Sequence, residues 1–181
     1  MPLALAAPAA RLLTRPRPGG RCRLRDVATM ASGGIIVTDR DEALKIAIGA
    51  RTVAVLGIKT ESQAGQPAYF VPEYLQGVGC KIIPVPVYYP DVQQILGEPV
   101  VRDLRQIKQR VDILDVFRRP QDLAGHLEDI LAMEPRPDCV WLQSGISDPD
   151  FEQKLADAGI KVVPSRCLKV DRAAAGGRSA L

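Results

Sequence analysis

Residues 51–57 (R-T-V-A-V-L-G) narrow what this chain can become more than any other stretch. Four apolar residues in a row after Thr52 leave no polar face, so a strand here must be covered on both sides, as in a parallel sheet flanked by helices. The run halts at Gly57 and passes through the polar loop I-K-T-E-S-Q-A-G-Q-P towards an amphipathic stretch. A strand that stops at glycine ahead of a helix offers unpaired amides and the positive helix end, a geometry suited to phosphate. The junction implies a nucleotide-type ligand without saying which.

Helix and strand signals then alternate. Asp39 or Thr38 caps a first helix with Leu44, Ala47 and Ile48 as its stripe. After the strand Thr52–Leu56, a helix over 68–77 carries Val71, Tyr74, Leu75 and Val78, which puts Pro72 in its first turn. Gly79 ends it, and Lys81–Val85 reads as the next strand. An extended piece near 99–101 and a helical turn near 104–108 precede a strand over 112–116. A helix over 121–133 shows Leu123, Leu127, Ile130 and Leu131 on one face, followed by the strand Cys139–Leu142. Asp148 as cap and Pro149 at the first helical position open a helix striped by Phe151, Leu155 and Ala158. The last strand is Lys161–Val163. Repeated βα units of this kind predict an α/β fold: a single Rossmann-like domain with a mostly parallel five-stranded sheet and helices on both faces. Right-handed crossovers put the loops 57–67, 86–90, 117–120 and 143–149 on one rim, where a ligand belongs.

Charge divides the chain. Six arginines and one acid, Asp26, leave residues 1–30 at +5, so the remainder carries −2 of the +3 total. Basic residues beyond that leader are scattered, which excludes an electrostatic footprint for nucleic acid. No apolar run approaches the roughly 20 residues of a spanning helix. Residues 1–34 read as an Arg-, Ala- and Pro-rich disordered leader, residues 35–172 as the domain, and residues 173–181 as a flexible tail. The leader resembles a transit peptide, which implies a mitochondrion or plastid; alternatively Met30 starts the protein, and the location is cytoplasmic. The four cysteines, Cys22, Cys80, Cys139 and Cys167, have no zinc spacing, and Cys139 and Cys167 read as buried inert thiols.

On the expected rim, Lys59 and Thr60 can donate to a phosphate, although a loop lysine also simply meets water. Arg118 and Arg119 face the same two alternatives. Gln143, Ser144 and Gly145 supply an amide, a hydroxyl and a glycine at a strand tip, suited to an uncharged polar ligand group. Trp141 reads as core and His126 as a structural histidine away from the rim. No G-x-G-x-x-G follows the first strand and no acid ends the second, where Pro86, Val87 and Tyr88 stand, so a nicotinamide dinucleotide is disfavoured. No nucleophile has a base beside it in the pattern. A bulky residue in place of Gly57 is expected to abolish binding and leave the fold intact.

Several ordered segments together carry a resemblance: the first strand with its Gly57 loop, P-A-Y-F-V-P-E-Y-L from Pro67, I-P-V in the second strand, V-D-I-L-D-V-F-R-R-P from Val111, V-W-L-Q-S-G-I from Val140 and V-V-P-S-R-C-L-K-V from Val162. Over residues 39–172 the chain resembles the small stand-alone CoA-binding domain proteins, Rossmann-like and similar to the N-terminal domain of the succinyl-CoA synthetase α subunit. The resemblance implies coenzyme A or an acyl-CoA along the rim. Gly57, Ile58, Lys59 and Thr60 would meet its phosphates, with Pro67 opening the following helix. Pro86 and Val87 would flank the adenosine part, and Phe117, Arg118, Gln143, Ser144 and Gly145 would bound the pocket. Two positions depart from the pattern. Gln66-Pro67-Ala68 stands where relatives have arginine, proline and a small hydroxyl residue, which removes a charge-assisted phosphate contact. The synthetase's lysine after the second strand has no counterpart near Val87, and His126 does not match its phosphorylated histidine. The function expected is non-catalytic CoA binding. The alternatives are a nucleotide-dependent enzyme, of oxidoreductase or acyl-CoA-handling type, and a scaffold with a vestigial pocket; a homo-oligomer or protein partner is left open.

Overall fold

The computed structural model describes residues 34–176; the leader up to residue 33, with Cys22, and the last five residues of the tail lie outside the described residues. Helix α1 spans Arg40–Gly49, capped by Asp39, whose carboxylate accepts from the Glu42 amide at 2.8 Å. Strand β1 is Thr52–Leu56, α2 is Pro67–Gly77 and β2 is Lys81–Val85. A small antiparallel pair, β3 (Gln94–Ile95) and β4 (Glu98–Pro99), comes next, then a 3-10 turn at Leu104–Gln106. Strand β5 is Ile113–Val116, and a 3-10 helix, Pro120–His126, runs into α3, Leu127–Leu131. Strand β6 (Cys139–Leu142), α4 (Pro149–Asp157), β7 (Lys161–Val163) and α5 (Leu168–Gly176) complete the order.

The main sheet runs β2-β1-β5-β6-β7, with every pair parallel. Because strand side chains alternate, each strand feeds two cores. Val53, Val55, Ile113, Trp141 and Val163 pack under α1, α2 and α5. Ala54, Leu56, Leu114, Val116, Val140 and Leu142 pack with Leu123 and Ile130 on one side of the crossover and Phe151 and Leu155 of α4. This two-faced burial produces the continuous apolar runs seen in the sequence. The strand ends Leu56, Val85, Val116 and Leu142 are brought level by the register, so their exit loops share one rim.

Several local expectations change. Ile48 does not face the core: it is 47 % exposed, and Ala43 joins Leu44 and Ala47 as the buried stripe. Val78 is likewise exposed, because α2 has already ended at Gly77. Pro72 lies inside α2 rather than in its first turn, since the helix starts at Pro67. The missing N–H of Pro72 leaves the Ala68 carbonyl without its usual helical donor, and the Lys59 amide takes it at 3.1 Å. Strand β5 begins one residue later than expected; the Asp112 carboxylate instead accepts from the Arg51 and Thr52 amides at 2.8 and 2.9 Å. The helix expected over 121–133 is mostly a 3-10 helix. Helix α5 has no forerunner in the sequence reading. Its Arg172 guanidinium donates to the Ala47, Ile48 and Ala50 carbonyls, closing the C-terminal end of α1.

Candidate functional site

Gly57 adopts φ +87, and a Cβ added there would lie 2.5 Å from the Phe117 carbonyl oxygen. The residue is therefore required by the close approach of the β5 exit loop, and its own amide donates to the Val85 carbonyl at 2.9 Å. A bulky side chain would collide with backbone, so the expectation that such a variant keeps its fold does not stand. Ile58 points into the core at 1 % exposure. The Lys59 amide is held by Ala68, and the Thr60 hydroxyl pairs with Ser62 at 2.8 Å. Among the described residues, no carbonyl or side chain accepts from the amides of Ile58 and Thr60. Two donors thus remain open at the crossing, while Gln66, at the N-cap of α2, makes no side-chain cap bond.

Beside this loop, cations and aromatic rings gather. Lys59 Nζ lies 5.1 Å from the Tyr88 ring centroid and donates to the Tyr89 hydroxyl at 3.3 Å. The Tyr89 hydroxyl in turn donates to Gln63. Arg118 sits 5.6 Å from the same Tyr88 ring, pairs with Asp122 at 3.2 Å and donates from Nε to His126 Nε2 at 3.2 Å. The two arginines differ: the Arg118 side chain is 12 % exposed and Arg119 is 70 % exposed, paired with Asp122 at 2.9 Å. Arg118 holds the Tyr88 hydroxyl below its ordinary pKa through a hydrogen bond. Burial, helped by the Arg118 charge, lowers the pKa of His126. His126 is thus on the rim, not away from it, because the 3-10 helix turns it back towards β2.

Two hollows open along this rim. One, of about 530 Å³, is bounded by Pro86, Val87, Tyr88, Leu104 and His126. The other, of about 520 Å³, is more apolar, with Pro67, Phe70, Val71, Phe117, Ile146 and Cys167 in its wall and Lys59, Arg118, Gln143 and Ser144 at its polar points. Of the residues picked from the sequence, Lys59, Pro67, Phe117, Arg118, Gln143 and Ser144 meet at the apolar hollow, and Pro86 and Val87 at its neighbour. Gly57, Ile58, Thr60 and Gly145 line neither; the Gly145 amide donates to Ser165 Oγ at 3.1 Å. A third hollow, of about 560 Å³, lies at the opposite end of the strands beside Arg110, Asp138 and Lys161. There Arg110 pairs with Asp138, and Arg136 donates to the Leu131 and Ala158 carbonyls.

One residue of note escaped the sequence reading. Asp115, in the central strand β5, is 0 % exposed, and both its oxygens accept from Gln143 Nε2, at 2.8 and 3.0 Å. Burial pushes its carboxyl up to about 8. The available signal was a lone acid near the end of an otherwise apolar strand. Cys139 is sealed in the sheet, with its thiol pushed up to about 12 by burial, whereas Cys167 is only half-buried. Among the described residues no cluster of His, Cys, Asp or Glu could hold a metal ion, and no helix is long and apolar enough to cross a membrane.

Comparison with known proteins bears on the family and the fold. The profile of the CoA binding domain matches residues 51–173. The uncharacterised protein YneT of Bacillus subtilis is 31 % identical over 123 residues, spanning 68 % of this chain and 86 % of that protein. The solved structure of cell-free ID.343 from Thermus thermophilus is 42 % identical with a TM-score of 0.67, covering 76 % of this chain and 98 % of its own. A hypothetical protein from Pyrococcus horikoshii, at 20 % identity and a TM-score of 0.68 over 80 % of this chain and 96 % of its own, shares the fold. With the profile covering the sheet from β1 into α5, the chain belongs to the CoA-binding domain family.

Proposed function

We propose that this protein binds coenzyme A or an acyl-CoA and does not transform it. The observation that carries the reading is the order of environments along the rim: a hollow walled by Pro86 and Tyr88, then Lys59 and Arg118 beside the Tyr88 ring, then an apolar hollow. CoA has the same order, with a nucleoside, a diphosphate and a long chain. In this reading the adenosine part rests against Pro86 and Val87. The phosphates meet Lys59, Arg118 and the open amides of Ile58 and Thr60, on the scaffold that Gly57 permits. The chain runs past Pro67 and Phe117 towards Gln143, Ser144 and Gly145. Family membership supports the reading, and so does Lys59, which has no carboxylate partner among the described residues. Binding without turnover is supported by the state of His126 on the rim, whose Nε2 accepts from Arg118.

Isothermal titration tests this directly with CoA, acetyl-CoA, ATP and NADP. Heat with both CoA species and none with the other two is expected; a signal for ATP or NADP beside silence for CoA would overturn it. Lys59→Ala should weaken CoA roughly tenfold, the scale of one lost charge-assisted bond, with an unchanged melting temperature. One observation favours a second reading as a regulatory partner: Gln66 puts a neutral amide at the N-cap of α2, where the resemblance described above implies an arginine. Silence with every nucleotide, together with one protein recovered stoichiometrically in a pull-down, would select that reading.

A further inference from the structure

Gln143 closes β6 at the floor of the apolar hollow and is 5 % exposed. A carboxylate only accepts, so the Asp115 oxygens take the NH2 end of the Gln143 carboxamide. Among the described residues, every fully buried side-chain nitrogen or oxygen has a partner. Gln143 Oε1 has none there, so it is not one of those buried atoms, and Gln143 itself lines the apolar hollow.

We propose that Asp115 is a positioning residue that sets the polarity of the apolar hollow. When ionised it holds the Gln143 NH2 inward so that Oε1 faces the ligand as an acceptor, and the chain lodged there must then offer an N–H or O–H donor. The amide groups of a pantetheine arm supply such a donor, and the inference rests on the CoA reading only for the identity of that arm. The arrangement also has a pH signature. Once protonated, Asp115 carries an O–H that needs an acceptor, and the carboxamide must turn over to provide it, which withdraws Oε1 from the hollow. No charged side chain contributes to the Asp115 shift, which comes from burial against hydrogen bonds from Gln143 and Val116. The Cys139 thiol feels its charge but stays protonated, at about 12.

The test compares CoA with adenosine 3′,5′-bisphosphate, which lacks the arm, by titration calorimetry at about pH 7 and about pH 9. It is paired with spectra of the side-chain amides in 15N-labelled protein. CoA is expected to bind roughly three- to tenfold tighter at the higher pH, the scale of one neutral hydrogen bond, with the bisphosphate unchanged. Gln143→Met should remove that gain and leave the bisphosphate unaffected. Asp115→Asn, close in volume and without a titrating proton, should flatten the pH step. In the free wild-type protein the Gln143 NH2 protons should exchange slowly and shift as Asp115 titrates. Fast exchange without a titration, or equal losses for CoA and the bisphosphate in Gln143→Met, would overturn the proposal. If neither ligand binds wild type, the CoA reading fails, and the amide spectra still decide the polarity.

Discussion

Two residues show how local physics shapes this site from below. Gly57 answers to its own chain, since the Phe117 carbonyl leaves no room for a methyl and the backbone is left-handed there. Gly57→Ala should therefore cost about 2 kcal/mol or more of stability, read from urea unfolding; an unchanged midpoint would contradict this packing. Asp115 acts on stability through protons. Its folded pKa is raised from 3.8 to about 8, so between these values the native state holds a proton that the unfolded chain has released. Stability contributed by this group is full below the unfolded value and falls as pH rises towards about 8, by several kcal/mol at roughly 1.4 kcal/mol per pH unit. Asp115→Asn should flatten that slope, and unfolding curves at about pH 5 and about pH 8 check it.

At the scale of elements, Pro72 links a helix to a loop. By freeing the Ala68 carbonyl for the Lys59 amide, it anchors the residue that carries the site's unpaired cation. Pro72→Ala restores an intrahelical donor that competes for that carbonyl, so hydrogen exchange at the Lys59 amide should accelerate while the amides of β1 stay protected. The caps obey simpler rules: Asp148 accepts from the Phe151 amide at 3.1 Å, and Asp148→Ala should cost about 1 kcal/mol in thermal unfolding. Elements bounded by strong local signals were readable in advance. β1, β2 and β7 are apolar runs bounded by charged, glycine or proline residues, β6 is one between Asp138 and Gln143, and α4 begins at an Asp-Pro pair. The segment 120–131 was not, because leucines spaced three and four apart suit a 3-10 helix nearly as well as an α-helix. α5 was missed because its hold on the fold is remote, through Arg172 to the end of α1 and the Arg166–Asp171 pair at 2.7 Å. The site divides the same way. Its rim loops derive from strand order, whereas the burial of Asp115 and the inward turn of Arg118 depend on partners distant in sequence or across a fold.

For the whole molecule, charge and edges matter most. The full chain is +3, but residues beyond 30 carry −2, so in a protein lacking residues 1–30 a polyanionic ligand meets no long-range attraction and relies on Lys59 and Arg118 at close range. Association of that form with CoA should therefore quicken slightly as salt is added, because screening relieves repulsion at a distance. Stopped-flow rates that drop steeply with salt would count against this picture. The outer strands of the sheet are both occupied: the Val101 amide donates to Pro84 of β2, and Ile35 and Val37 bond Val162 of β7 on its free side. A proline within β2 removes one more donor from that border. Growth by adding a strand thus finds no open row to copy. Concentrated solutions should resist fibre formation.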